Sequence, residues 1–318
     1  MADNNILKFM DVDANKIPEA FKSVYAENLE LGYQSDGNKL LPTVTQIPSE
    51  KARGEKLIYD YLDPWDLDEI TDRNADTVYS DAAMKRREVG WAVFGKAIPI
   101  DETDAIALLL DPQWAVLQNH KYAVGRRIDK SIGAALFATV VTGHKSDGTA
   151  VWGAGNSECT IIAHNSQGLT KEKILAAKKA LEANDIDLGD PRNMPTLLCH
   201  SNDANALLED SELKSIDYMR DKAYVTGKIQ ELYNVRLQVA NHAVPAATGY
   251  RRCGLYVKSA VACGIPKPAK TYVVQNAQKW HRWEISVKVA IGALRLYEKG
   301  VVEIQTIDPP AGSLKKAS

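Results

Sequence analysis

The sequence has no run of about 18 apolar residues of the kind that spans a bilayer, and no apolar core near its start such as a secretion signal carries. Both absences lead to the expectation of a soluble chain made in the cytoplasm. An excess of one charge is missing too: 39 basic side chains stand against 41 acidic ones, a formal net charge of −2. That balance argues against a surface built as a whole to hold nucleic acid or anionic membrane, though it leaves room for local basic patches. Cysteine is scarce. Cys159, Cys199, Cys253 and Cys263 are widely spaced with no C-x-x-C pair, so neither a zinc site nor a disulfide framework is signalled, and buried, inert thiols are expected.

The motifs of catalysis are missing as well. There is no G-x-S-x-G elbow for a nucleophilic serine and no complete phosphate-cradling loop. "GAGNSE" from Gly153 offers two glycines, lacks the third and follows no strand-to-helix switch, so it reads as a turn. H-E-x-x-H and EF-hand loops do not occur, and His120, His144, His164, His200, His242 and His281 are scattered singly, as satisfied surface or core histidines are.

Two charged clusters remain. "DYLDPWDLDEITDRNAD" carries Asp60, Asp63, Asp66, Asp68, Glu69, Asp72 and Asp76. These supply oxygen ligands of the kind Ca²⁺ takes, but at a spacing that matches no binding loop. Lys51, Arg53, Lys56 and Arg73 lie nearby, which points instead to salt bridges with neighbouring chains. "MKRREVG" concentrates Lys85, Arg86 and Arg87 without interleaved aromatic rings for bases to stack on, favouring a protein contact over nucleic acid. No residue is therefore assigned a catalytic, cofactor-binding or metal-binding role, and no cofactor is expected.

What is present is an order of elements, in a chain of 318 residues that is long enough for one large domain or two moderate ones. Residues 1–50 are polar apart from "AFKSVYAENLEL", where Phe21, Val24, Tyr25 and Leu29 fall at helical spacing. The segment is too short to stand alone and reads as an arm. Residues 51–100 are rich in charge and in strand formers; in "VGWAVFGKAIPI", Val89, Trp91, Val93 and Gly95 alternate with Ala92, Phe94 and Lys96. Such a charged β excursion lacks a core of its own. Asp101 then suits a helix N-cap before "ETDAIALLL", and Asp111-Pro112 restarts the pattern. From 112 to about 140, Ile128, Ile132, Ala135, Leu136 and Val140 make an apolar stripe, with Arg126, Arg127, Asp129 and Lys130 opposite. A helix of that length spans roughly 45 Å and works as a strut.

Residues 166–270 alternate helix and strand as a compact α/β or α+β domain does. Thr170 caps "KEKILAAKKALEAN" with Ile174, Ala177 and Leu181 on one narrow face; "MPTLLCHS" reads as a buried strand and "NDANALLEDSEL" as a helix. In "YVTGKIQELYNVRLQVANHAVP", Ile229 to Leu232 reads as a short helical stretch before a strand with Val235, Leu237 and Val239 on one face. Finally, "WEISVKVAIGALRLYEKGVVEI" reads as a β ribbon, two strands joined by a tight turn at "YEKG". Ile285, Val287, Val289, Ile291 and Ala293 share one face.

In this order the chain resembles the major capsid proteins of tailed bacteriophages, a fold shared with encapsulins. "RNADTVYSDAAMKRREV" through "AIPIDETDAIALLLDP" into "AVGRRIDKSIGAALFATVVTG" looks like that family's passage from extended loop to spine helix. "LTKEKILAAKKALEANDID" with "NMPTLLCHSNDANALLEDSELKSIDY" looks like its axial domain, and "GALRLYEKGVVEI" like its closing motif. "GKIQELYNVRLQVANHAVP" resembles a family stretch that usually has Gly where this chain has Asn234, which also tolerates a left-handed turn.

The resemblance covers about residues 20–308. It implies an α+β fold with an N-terminal arm (1–50), an extended β loop (51–100), a peripheral domain with the spine helix (101–165, helix about 112–141), an axial domain (166–270), and return strands of the peripheral domain with a C-terminal tail (271–318). It also implies a non-enzymatic shell subunit of a virion, assembled in the host cytoplasm into hexamers and pentamers around double-stranded DNA that is touched non-specifically at the inner surface. A separate scaffolding protein, a portal and a decoration protein are the partners it suggests, with no membrane. An encapsulin compartment is the alternative in the same fold, and a cytoplasmic α/β enzyme the alternative in another class.

Overall fold

A computed structural model of the chain describes residues 38–47, 56–62, 84–100, 113–143, 148–153, 155–190, 193–209, 231–279 and 282–307, with isolated positions between 65 and 79. The amphipathic segment around Phe21, the Asp101 cap, the Asp111-Pro112 restart and Ile229 lie outside them. The described strands are β1 (Thr45–Ile47), β2 (Lys56–Leu62), β3 (Met84–Gly90), β4 (Ala92–Ile100), β5 (Val140–Thr142), β6 (Gly148–Ala150), β7 (Thr160–Ile162), β8 (Thr196–Cys199), β9 (Glu231–Leu232), β10 (Val235–Val239), β11 (Ala246–Ala247), β12 (Tyr250–Tyr256), β13 (Val261–Asn276), β14 (Arg282–Arg295) and β15 (Val301–Thr306). The α-helices among the described residues are α1 (Gln113–Leu136), α2 (Lys171–Glu182) and α3 (Ser201–Glu209). The class is α+β, as expected.

The chain divides into two compact units, one holding the described parts of 94–124 and 269–289, the other those of 38–93, 125–268 and 290–307. In the first unit, Ile285, Val287 and Val289 of β14 are buried, and the buried His120 of α1 has Nε2 3.4 Å from the Ile285 carbonyl oxygen. The apolar face of β14 is thus buried as expected, and α1 reaches the backbone of that strand at Ile285.

The second unit is built on a seven-stranded sheet ordered β7-β15-β12-β8-β10-β9, with β11 paired to β12. β8 and β10 are parallel, and β12 is antiparallel to both β8 and β15. All four residues of β8 are buried, as a short apolar strand between two others requires. Helix α2 packs on β7 and β15. Its N-cap is Thr170, whose side chain accepts from the Lys173 backbone N–H, and its buried stripe is Ile174, Ala177 and Leu181, both as read from the sequence. A smaller sheet, β2-β3-β5-β6, shares a core with β13 and the end of β14, where Leu57 and Val140 meet Ala262, Leu294 and Leu296. Each of the Leu and Val side chains contributes about 1.5–3 kcal/mol on burial.

Four expectations are corrected. The spine helix stops at Leu136 rather than near Val140, which opens β5. Its end is fixed by Arg295, whose Nη1 donates to the Leu136 and Ala138 carbonyl oxygens at 2.7 and 3.0 Å; a cation there satisfies orphan carbonyls and the negative end of the helix dipole. At 24 residues the helix is about 36 Å long.

Glu231–Leu232 is a strand, paired antiparallel with β10, where a helical stretch was expected. Tyr233 and Asn234 have φ of 54° and 63°, the two left-handed residues of a tight hairpin turn, and Asn234 fills the place where such a turn favours glycine.

The strict alternation from Val89 to Lys96 breaks at Trp91, which separates β3 from β4, and Val93 is exposed. Trp91 instead covers Gly264 and Gly292 on two neighbouring strands; a Cβ on Gly292 would stand 2.6 Å from its ring.

The terminal ribbon is not a ribbon. β14 and β15 belong to different sheets. Between them the Leu296 N–H donates to the Ala260 carbonyl oxygen at 2.7 Å and the Val257 N–H to that of Gly300 at 3.1 Å. This clasp hands the chain from one sheet to the other.

Candidate functional site

The basic trio that the sequence offered as a protein contact sits on β3 and is largely consumed inside the subunit. Arg86 donates through Nε and Nη2 to both Asp60 oxygens at 2.6 and 3.0 Å across the β2/β3 ladder. Arg87 points the other way, as the period of a strand demands, and is buried. Its guanidinium forms a two-pronged pair with Glu298 and donates from Nε and Nη2 to the Tyr61 hydroxyl at 3.2 and 3.1 Å. Glu298 also meets Arg295 at 3.4 Å. Lys56, expected to bridge to another chain, pairs with Glu88 at 3.1 Å in this one.

Burial works against charge on Glu298, but the Arg87 hydrogen bonds and the positive charges of Arg87 and Arg295 outweigh it and hold the carboxyl below the ordinary range. Burial likewise opposes charge on Arg87, and the Glu298 and Tyr61 contacts prevail, keeping that guanidinium charged. Tyr61 and Tyr297 stack edge to face with centroids 5.0 Å apart. The base of the 62–84 excursion is thereby fastened to the segment that follows β14.

A second buried carboxylate, Glu303, takes Arg252 through two hydrogen bonds of 2.9 and 2.6 Å and the Trp152 indole N–H at 2.6 Å. Arg252 lies over the Phe137 ring and Arg295 over Trp152, at 4.4 and 4.7 Å. Sequence reading missed both networks. Their signal was there: Arg295, Glu298 and Glu303 interrupt an otherwise apolar closing motif, and a charge at a core position is retained only when paired.

The other candidates are placed plainly. In "GAGNSE" the Asn156 N–H donates to the Gly153 carbonyl oxygen and its side-chain oxygen accepts from Glu158 N–H; it is a turn, as read. Cys199, Cys253 and Cys263 are buried and Cys159 half-buried. Burial pushes the Cys199 thiol up to about 12 and Cys263 to about 11, so neither is a nucleophile at neutral pH. His164 stacks on Tyr250. Asp129, read as part of the polar face of the spine helix, is fully buried and pairs with His242 at 3.1 Å. His144, His281, Asp63, Asp66, Asp68 and Asp72 lie outside the described residues. Among the described residues no group of three His, Cys, Asp or Glu is arranged to hold a metal ion, and no helix is long and apolar enough to cross a membrane.

Among the described residues, large apolar side chains are left exposed in several places, two of them notable. On and beyond the β2/β3 pair, Trp65, Leu67, Tyr79 and Met84 are 68, 89, 91 and 81 % exposed. In β13 every residue from Lys267 to Gln275 is exposed, including Tyr272, Val273 and Val274. Side chains of this kind suit a protein contact rather than a pocket for chemistry.

Comparison with known proteins agrees. Among solved structures, the chain is similar to one titled Mycobacterium phage Che8 (TM-score 0.65, 14 % identity, 89 % of this chain and 96 % of that one). It is similar to the cyanophage Pam1 capsid asymmetric unit (0.65, 13 %, 91 % and 98 %) and to the mature capsid of bacteriophage PhiM1 (0.65, 11 %, 89 % and 91 %). No curated protein matches it. A family model described as phage capsid protein matches residues 17–308, nearly the whole chain, and on that match the chain belongs to the phage capsid protein family: it is a structural major capsid protein, a component of a virion and not an enzyme.

Proposed function

We propose that copies of this chain assemble as hexamers and pentamers of an icosahedral shell around the double-stranded DNA of a tailed bacteriophage. The observation that carries the proposal is the exposure of four large apolar side chains between Leu62 and Met84. Burying Trp65, Leu67, Tyr79 and Met84 against neighbours contributes about 1.5–3 kcal/mol each, and it links the stability of the subunit to assembly by mass action. A net charge near zero suits close packing of many copies.

In this reading residues 1–50 are the arm, 51–100 the extended loop, 101–165 the peripheral domain with α1, and 166–270 the axial domain. Residues 271–318 return to the peripheral domain, except that β15, together with β7 from the end of the 101–165 stretch, joins the axial sheet. Assembly takes place in the host cytoplasm with a separate scaffolding protein and a portal. Packaged DNA meets the inner surface without sequence preference.

The double substitution Trp65→Glu with Leu67→Glu, made in the expressed protein with and without its scaffolding partner, tests the reading by negative-stain microscopy. The wild type is expected to form closed shells and the variant to remain as folded, unassembled subunits. Undiminished shells from the variant would overturn the assigned role of this surface. Uniform shells from the wild type alone would remove the need for a scaffold.

A further inference from the structure

One buried carboxylate is spent on the segment that precedes β1. Asp129 lies in the C-terminal half of α1 with no exposed surface, and three donors converge on it. The backbone N–H of Leu40 donates to Oδ1 at 3.0 Å, that of Lys39 to Oδ2 at 3.1 Å, and Nε2 of His242 stands 3.1 Å from the same Oδ2. The neighbouring contacts secure the same ten residues. Lys39 Nζ donates to the Val239 carbonyl oxygen at 3.1 Å. Thr43 Oγ1 donates to the Leu40 carbonyl oxygen at 2.7 Å and lies 2.6 Å from the Tyr256 hydroxyl. Leu40 and Val44 are completely buried, and β1 then pairs in parallel with β13 at Ala262–Gly264.

A carboxylate buried to hold two consecutive backbone N–H groups fixes the direction of a chain more tightly than apolar burial does, because each charge-assisted bond has a preferred line. We infer that Asp129 is the positioning residue that fixes the course of residues 38–44 in the subunit, and that closed shells form only when this anchor is made. The inference rests on the shell-forming reading above.

Asp129→Asn keeps the shape but turns an amide N–H₂ toward one of the three donors. Loss of a charged hydrogen bond is worth roughly 1.5–3 kcal/mol, so hydrogen exchange of the peptide 38–44 in the unassembled subunit should accelerate about 10- to 100-fold. Peptides from α2, which packs on β7 and β15, should exchange as before. In co-expression with the scaffold, the variant should give particles of mixed diameter or open sheets by electron microscopy.

Unchanged exchange of 38–44 would overturn the inference, as would uniform shells of wild-type size despite accelerated exchange. Should Asp129→Asn unfold the whole subunit, Lys39→Pro removes one of the N–H donors and leaves the helix untouched, and the same two criteria apply to it. A wild type that forms no shells would count against the proposed function instead, and exchange alone would then decide the anchor.

Discussion

Replacing Glu298 by Gln should be among the most destabilising single changes available in this subunit outside its apolar core. The side chain of Glu298 is 2 % exposed, those of its partners Arg87 and Arg295 are 5 % and 0 %, and the amide that replaces it carries no charge. Two guanidinium groups would then sit in the interior without a counter-charge, a situation worth about 3–5 kcal/mol. At about 1.4 kcal/mol per factor of ten, this is a loss of two to three and a half orders of magnitude in the folding equilibrium.

The control is built into the same strand. Arg86 and Asp60 form a pair of good geometry, but their side chains are 26 % and 55 % exposed, so Asp60→Asn should cost no more than about 1 kcal/mol. Urea unfolding of the unassembled subunits, followed by circular dichroism, compares the two directly. A loss below about 1 kcal/mol for Glu298→Gln, indistinguishable from Asp60→Asn, would refute the claim that burial sets the worth of the pair.

The same network has a signature in pH. Because the folded state holds the Glu298 carboxyl below its ordinary value of 4.5, its contribution is complete above that value and is lost as pH falls through the depressed folded one. Wild-type stability should therefore fall more steeply than that of Glu298→Gln as acid is added below about pH 4.5.

Gly292→Val should cost about 1–3 kcal/mol through overpacking, since even a Cβ there meets the Trp91 ring at 2.6 Å; a melting temperature equal to wild type would show that the ring moves freely aside. Lys173, buried with Nζ donating to the His164, Gln167, Gly168 and Gln305 carbonyl oxygens, organises a turn in which Asn165 and Ser166 both have positive φ. Lys173→Met removes this shared donor, although the His164 and Gln167 carbonyl oxygens keep backbone donors, and should cost about 1–3 kcal/mol in urea denaturation. Val289→Asp places a carboxylate at a position 3 % exposed and should abolish soluble yield and assembly together; normal shells from that variant would show that the β14 face is not packed as described.

Local chemistry carried much of the fold into the sequence. The Thr170 cap and the Ile174, Ala177 and Leu181 stripe were legible because a helix advertises its start and its apolar face within a dozen residues. The buried strand at Leu197 and Leu198, the turn after Gly153 and the left-handed Asn234 were legible for the same reason. So was the family, since its motifs are short stretches in a fixed order. Asp129 was misread because periodicity counts a carboxylate as polar and therefore outward. Its donors, at Lys39, Leu40 and His242, lie 89 to 113 residues away.

The end of the spine helix, too, was set from a distance, by Arg295. The strands at Arg282–Arg295 and Val301–Thr306 were found, but their separation into two sheets was not. A strand's own pattern states which face is buried and says nothing about which edge it joins. Sequence alone thus determined the class, the helices, most strands and the family of this capsid protein, all of which rest on neighbours in the chain. The tertiary structure alone decided which charges turn inward, because a charge is tolerated in a core only where distant parts of the chain bring its partners.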